Sequence, residues 1–255
     1  MNLWAALLVS SALAALALWR RALTPGGTLL AWALCVVISR IGGWSAFAVL
    51  TTTLIFTVLA DRVGGKRADP HAIRRKSGSR DAARVLCNVG IGTGAIILSR
   101  VTLLPVFALA YVAVMAESLA DSMASKLGPL SKKPPVDICT LQPVVTGLSG
   151  GVSLMGTAAE LLGAGLIGLV YGVFTGDYRS GALCAAIGFA GAIADSVLGS
   201  RLQVKYCCRV CGALTEREAH CGKTTKRVRG ISAVNNDVVN LLSNLFSFLV
   251  AIIAF

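Results

Sequence analysis

The tripeptide Ala-Asp-Ser occurs at 120–122 and again at 194–196, each time inside a stretch that is otherwise apolar. An ionised group in an apolar helix is costly and marks a functional site by default. Asp121 and Asp195 are therefore read as a pair of oxygen ligands for Mg²⁺, a cation usually held by one or two carboxylates plus substrate phosphates. The alternative is that each is a buried carboxylate paired with Arg84 or a lysine. Glu117 stands one helical turn before Asp121. Glu160 lies deeper in another apolar stretch, where it could pair across a bundle, carry a proton or meet a lipid head.

Around these acids the chain offers groups suited to phosphate. In Gly147-Leu-Ser-Gly-Gly-Val-Ser-Leu-Met-Gly156 a polar loop runs into a long apolar stretch. Gly147, Gly150 and Gly151 allow positive φ and close backbone approach, the helix start favours an anion, and Ser149 and Ser153 add hydroxyls. A glycine turn that lets two membrane helices pack closely is the competing reading. Arg84 and Asn88 are one turn apart and face the same way. Lys66 lies in Gly64-Gly-Lys-Arg67, within a loop holding eight basic residues. In Asn235-Asn-Asp-Val-Val-Asn240, Asn235 or Asn236 could cap a helix with Asp237 in its first turn, while Asn240, one turn deeper, needs a partner. Assembled, Asp121 and Asp195 would hold Mg²⁺, the Gly150–Ser153 backbone would hold phosphate, Lys66 and Arg84 would offset developing charge, and Asn88, Asn236 and Asn240 would orient the phosphate.

Cys208-x-x-Cys211 followed by His220-Cys221 supplies four soft or borderline ligands in a ribbon-like loop, a spacing suited to Zn²⁺. Reduced cytosolic thiols are the alternative.

The elements that must position these residues are membrane helices. Of the 255 residues 55% are hydrophobic and 14% charged, and the mean hydropathy is +0.74. A soluble chain carries about a quarter charged residues. Eight apolar blocks are expected, at about 3–19, 28–41, 43–60, 84–98, 102–124, 148–174, 180–199 and 237–255. The second and fourth are short for a span of roughly 20 residues, so the fold class is an all-α polytopic bundle of seven or eight transmembrane helices. No strand alternation suggests a barrel. Met1-Asn-Leu-Trp has no basic leader, so the first helix is expected to be retained. Residues 1–60 read as scaffold and lipid contact. Residues 61–255 read as a catalytic core that includes a basic, cysteine-containing loop at 200–236.

Threading eight spans puts 21 of the 24 Lys and Arg residues on one side and only Arg40, Arg100 and Arg179 on the other. This asymmetry predicts a multi-pass cell-membrane protein with its basic loops in the cytoplasm and both termini outside. It also accounts for the net charge of +12 through orientation and anionic lipid heads, with no nucleic-acid partner. The oligomeric state is left open, a homodimer included.

Several stretches together resemble a family of integral membrane proteins that includes the plant phytyl-phosphate kinase of tocopherol synthesis. They are Arg84-Val-Leu-Cys-Asn-Val-Gly90, Ala120-Asp-Ser with Ser125 and Gly128, Gly147 to Gly156, Gly191-x-x-x-Asp195-Ser-x-x-Gly199 with Gln203, the Cys-x-x-Cys insert and Asn235 to Asn240. The chain departs from the pattern at Lys126, where an acid is expected, and at Cys87. The resemblance implies phosphoryl transfer from a nucleoside triphosphate, CTP foremost, to a prenyl monophosphate lipid, with Ser125 and Gln203 among the binding residues. Such transfer needs positioning and charge neutralisation more than covalent chemistry. Two other classes stay open: a transporter with its site between helices 5, 6 and 7, and a zinc-loop membrane scaffold.

Overall fold

In the computed structural model, which describes residues 1–20, 22–67 and 81–255, the expected apolar blocks become seven helices. They are α1 (Leu3–Trp19), α2 (Pro25–Arg67), α3 (Ala82–Thr102), α4 (Pro105–Leu127), α5 (Leu154–Thr175), α6 (Tyr178–Arg201) and α7 (Asn236–Ala254). Six are long and apolar enough to cross a membrane, and α1 is a shorter apolar helix. The doubtful fourth block is a full-length α3 of 21 residues capped by Asp81, whose carboxylate accepts from the Arg84 N–H.

The second and third blocks are joined without a loop. Straight, the 43 residues of α2 would run about 65 Å, twice the ~30 Å of a bilayer's hydrocarbon. The helix is instead broken at Gly43, with φ 70° and ψ −155°, a backbone state open to glycine and closed to most side chains. Past the break α2 runs parallel to α4: the Tyr111 hydroxyl donates to the Ala46 carbonyl near one end, and Lys126 pairs with Asp61 near the other. The Arg40 guanidinium reaches the Met1 carbonyl and Trp32 donates to Ser11, so α1 lies along the first half of α2.

The centre of the bundle is α4. Every residue from Ala110 to Ala120 is buried, because α2, α3, α5, α6 and α7 all pack on it. A helix apolar all round belongs in such a position. Small residues set the spacing: a Cβ added at Gly188 of α6 would come within 2.7 Å of the Glu117 backbone nitrogen. The core joins Ile38, Val49, Ile96, Met115, Leu119, Ile167 and Ile187 across α2 to α6. Packing therefore continues through residue 60, where the sequence suggested a boundary between scaffold and core.

One correction, and one expectation met, concern residues outside the helices. The sixth block starts later than expected, since Gly151–Val152 (β2) pairs antiparallel with Val136–Asp137 (β1) and α5 begins only at Leu154. The loop after α6 is a small ribbon. In it β3 (Lys205–Cys207) pairs with β4 (Leu214–Thr215) and β7 (Lys226–Arg229), and β5 (Ala219–His220) pairs with β6 (Lys223–Thr224). The ribbon, the 128–153 segment and the starts of α3 and α7 share the end of the bundle that holds the Lys126–Asp61 pair.

Candidate functional site

One face of α7 carries Asn236, Asn240, Ser243, Asn244 and Ser247, at offsets of three and four that stack side chains along a helix. This stripe turns inward. The Ser243 hydroxyl lies 2.6 Å from Glu117 Oε1 and 3.2 Å from Asp195 Oδ2, so α4, α6 and α7 meet at one oxygen. Asn244 Nδ2 donates to the Cys87 carbonyl of α3 at 3.1 Å, and its Oδ1 accepts from the Ser118 hydroxyl at 3.0 Å. Asn240 stands 2.9 Å from Asn88. With its amide nitrogen turned toward acceptors it donates to the Asn236 carbonyl at 2.9 Å and to Asp195 Oδ2 at 3.2 Å. Asn236 begins α7, and the Asn235 side chain caps it by accepting from the Asp237 and Val238 N–H groups.

The acids converge on this network. Glu117 and Asp195 are 1% and 5% exposed and share Ser243. Asp121, one turn along α4, bears electrostatically on both Glu117 and Glu160. Glu160 is buried on α5, and its Oε2 has no hydrogen-bond partner among the described residues. Clustered carboxylates in a low-dielectric interior repel one another, and hard oxygen donors with surplus negative charge suit Mg²⁺.

The basic residues are placed differently from the expected pairing. Arg84 Nε donates to Asp237 Oδ1 at 3.4 Å, joining α3 to the start of α7, and Lys126 Nζ lies 2.8 Å from Asp61. Lys126, at the position where an acid was expected, thus ties α4 to α2. The Ser125 hydroxyl donates within its own helix to the Ser122 carbonyl. The side chain of Lys66 lies outside the described residues.

The glycine segment, expected as a phosphate cradle, is packed against α6 and the ribbon. Gly150 has φ +84°, and a Cβ there would strike Ser200, so the loop seats on the last turn of α6. Its N–H groups have internal acceptors: Gly151 donates to the Leu148 carbonyl at 3.0 Å and Ser149 to Glu216 Oε1 of the ribbon at 2.7 Å. Ser153 caps α5, accepting from the Gly156 N–H and donating to the Gly128 carbonyl. Gly147, at φ +86°, turns the chain into this joint. These residues act as a strut, and the anion in contact with them is the protein's own carboxylate.

Asp137, unread in the sequence, completes the strut. Its carboxylate accepts from the Ser200 hydroxyl at 2.8 and 2.9 Å and from the Cys139 and Thr140 N–H groups at 2.9 Å. Burial pushes this acid up, but the Ser200, Thr140 and Cys139 donors, with Lys205 nearby, together hold it below the ordinary carboxylate range. Gln203 is buried and bridged to Ile231, just after β7, and its Oε1 has no hydrogen-bond partner among the described residues.

Lys132, Lys133 and Thr146 line a cleft of about 510 Å³ at the start of α5, together with Met155. Gly128 of α4 touches Gly156 of α5 below it. Asp121 is two turns along α4 from Gly128, and Glu160 one turn along α5 from Gly156, so helical periodicity sets both acids beneath this cleft. The sequence reading used Lys132 and Lys133 only in the charge count. Ser243 and Asn244 were also missed, although their spacing from Asn240 was a usable signal.

Cys208, Cys211, His220 and Cys221 bring four ligand atoms within 4.8 Å of one another. Among the described residues no other group of three or more His, Cys, Asp or Glu converges so tightly.

Comparison with known proteins agrees with this architecture. A family model described as integral membrane protein DUF92 matches residues 8–248. Protein PGR of Arabidopsis thaliana is 26% identical over 275 aligned residues, covering 97% of this chain and 94% of the plant protein. An uncharacterized membrane protein of Synechocystis sp. is 32% identical, covering 73% of this chain and 74% of its own length. Another, from Methanocaldococcus jannaschii, is 30% identical over 64% of this chain and 67% of the relative. No solved structure matches the chain.

Proposed function

The chain belongs to the DUF92 family of integral membrane proteins, and on that premise we propose that it is a membrane kinase. It would transfer a phosphoryl group from a nucleoside triphosphate, CTP foremost, to a prenyl monophosphate lipid of the phytyl, farnesyl or geranylgeranyl type. The observation that carries the proposal is the meeting of Glu117 and Asp195 at one Ser243 hydroxyl in the bundle interior, with a cleft lined by Lys132 and Lys133 at the start of α5. The family resemblance of the motifs around Arg84, Asp121, Asp195 and Asn240 supports the choice of substrate.

In this reading Asp121 and Asp195, backed by Glu117, would hold Mg²⁺, which would supply positive charge to offset that of the transferring phosphate. Asn88 and Asn240 fix the carboxylate of Asp195 from the side. Lys132 and Lys133 neutralise phosphate at the cleft mouth, a role the sequence reading had given to Lys66 and Arg84. The prenyl chain lies between helices, with its head at the basic end, which faces the cytoplasm of a cell-membrane protein. The acceptor phosphate is already anionic, so no strong general base is called for.

A transporter is the second reading. The stripe from Asn236 to Ser247 runs about 16 Å, half the hydrocarbon thickness. Beyond it α4 from Ala110 to Ala116 is buried and apolar apart from Tyr111, which is bonded to the Ala46 carbonyl. A polar route reaching only halfway suits a lipid-head enzyme better than a permeation path.

Turnover tests the proposal. Asp121→Asn and Asp195→Asn should each stay folded in detergent and lose most Mg²⁺-dependent conversion of a prenyl monophosphate to its diphosphate. Residues serving one metal act as a unit, so the double variant should cost little more than either single one. Intact turnover in the folded single variants would refute the assignment.

A further inference from the structure

We infer that the ribbon between α6 and α7 is a zinc site, with Cys208, Cys211 and Cys221 as thiolate ligands and His220 as the fourth through Nδ1. Two hairpin tips supply two ligands each. Cys208 and Cys211 lie in the turn of the β3–β4 hairpin, while His220 ends β5 and Cys221 begins the turn of β5–β6. The spacing of the four ligand atoms is tetrahedral. With Zn–S near 2.3 Å and Zn–N near 2.0–2.1 Å, tetrahedral edges come to about 3.8 Å between sulfurs and about 3.5 Å between sulfur and nitrogen. Cys211 and Cys221 Sγ are 3.8 Å apart, and His220 Nδ1 lies 3.5 Å from Cys211 Sγ and 3.3 Å from Cys221 Sγ.

Two further details select these four residues. The neighbouring thiol of Cys207 points away, toward the Gly212 carbonyl at 3.3 Å, so the adjacent cysteine pair contributes one ligand. The Val210 N–H points at Cys208 Sγ at 3.4 Å, placing a positive dipole where a thiolate needs one. Gly212 and Gly222, both with positive φ, turn the chain sharply after each ligand pair.

The ribbon has little else to hold it. Its three-stranded sheet β4–β3–β7 and the separate β5–β6 hairpin are built from strands of two to four residues, a hairpin alone is marginal in water, and all four residues of β7 are exposed. Metal binding, with loss of three thiol protons, would supply the missing folding energy. It would also hold Glu216, which follows β4, in place against the Ser149 N–H. The ion is then a structural staple that keeps the ribbon pressed on the glycine strut behind α6.

The test uses full-length protein purified in detergent without chelators or a metal-affinity step. Elemental analysis should give about one zinc per chain in the wild type and a large loss in Cys208→Ser and Cys221→Ser. Replacement by Co²⁺ should yield thiolate-to-metal charge transfer with the intensity of three sulfur ligands and the strong visible absorption of a tetrahedral ion. The cobalt spectrum is read on wild-type protein, so unfolding of a variant does not blunt the experiment. Stripping the metal should speed tryptic cleavage at Arg217, Lys223 and Lys226, and Zn²⁺ should reverse it. Wild-type protein without zinc, an octahedral or thiolate-free cobalt spectrum, or a Cys211–Cys221 disulfide in its place would overturn the inference. None of these readouts depends on kinase activity.

Discussion

Asp195→Asn offers a test of the acid cluster that needs no substrate. Glu117 Oε1 and Asp195 Oδ2 lie 2.6 and 3.2 Å from the same Ser243 oxygen, which caps their separation at about 6 Å. At an effective dielectric of 20, two unit charges at that distance would repel by about 3 kcal/mol, the ceiling on what removing one charge can return. Both side chains are buried, so solvent screens little of it. Asparagine keeps the size and can still accept from Ser243, while relaxation and imperfect amide geometry take back part of the gain. A net stabilisation of about 1–2 kcal/mol is expected without divalent cations, against the usual destabilisation of a buried substitution. For a chain of this length that is several degrees in Tm. Thermal unfolding followed in detergent, in EDTA and across a Mg²⁺ titration, should show the variant above the wild type in EDTA. Mg²⁺ should raise the wild type and leave the variant nearly unmoved. A variant that melts lower than the wild type in EDTA, and rises equally with Mg²⁺, would refute the reasoning.

Two other expectations follow from the strut and the charge asymmetry. Asp137 is held below its ordinary range in the folded protein, so its contribution to stability is present above about pH 4. That contribution is lost as pH falls through the folded value. Asp137→Asn should cost about 1–2 kcal/mol at neutral pH, and the gap from wild type in melting scans should close on acidification; a gap constant from pH 7 to pH 3 would exclude the carboxylate as the cause. Single cysteines at 215 and 177 in a thiol-free background should label from opposite faces in intact cells, 215 from the cytoplasm; labelling of both from one face would remove the assigned orientation.

Much of the bundle is legible in composition, because blocks of apolar residues leave little choice but membrane helices. The site is legible only where a residue is conspicuous in its own stretch. Asp121, Asp195 and Asn240 stand out against apolar neighbours, and α4, α6 and α7 bring Asp195 together with Asn240. Ser243 and Asn244 escaped notice because serine barely changes the hydropathy of a helix and Asn244 lies beyond the motif that drew attention to Asn240. Gly147 to Ser153 misled for a different reason. The loop's composition suits a phosphate, but what meets the Ser149 N–H is Glu216, 67 residues away, and no local pattern reveals a partner so distant. The Arg84–Asp237 pair, 153 residues apart, was hidden in the same way. The break at Gly43 was readable as a block boundary, yet helix on both sides of one residue leaves no loop composition to mark it.

The polar stripe of α7 also sets an order of assembly. α4 and α6 leave the ribosome before α7, carrying Glu117 and Asp195 while Ser243, Asn244 and Asn240 are still unmade. During synthesis the bundle must therefore hold two acids at its centre without the hydroxyl and amides that later engage them, and the groove between α4 and α6 stays open to water or lipid heads. Entry of α7 closes that groove and completes the network in one event. Damage to this helix would accordingly leave a half-built bundle with exposed interior acids, a state that membrane quality control can distinguish from the finished protein.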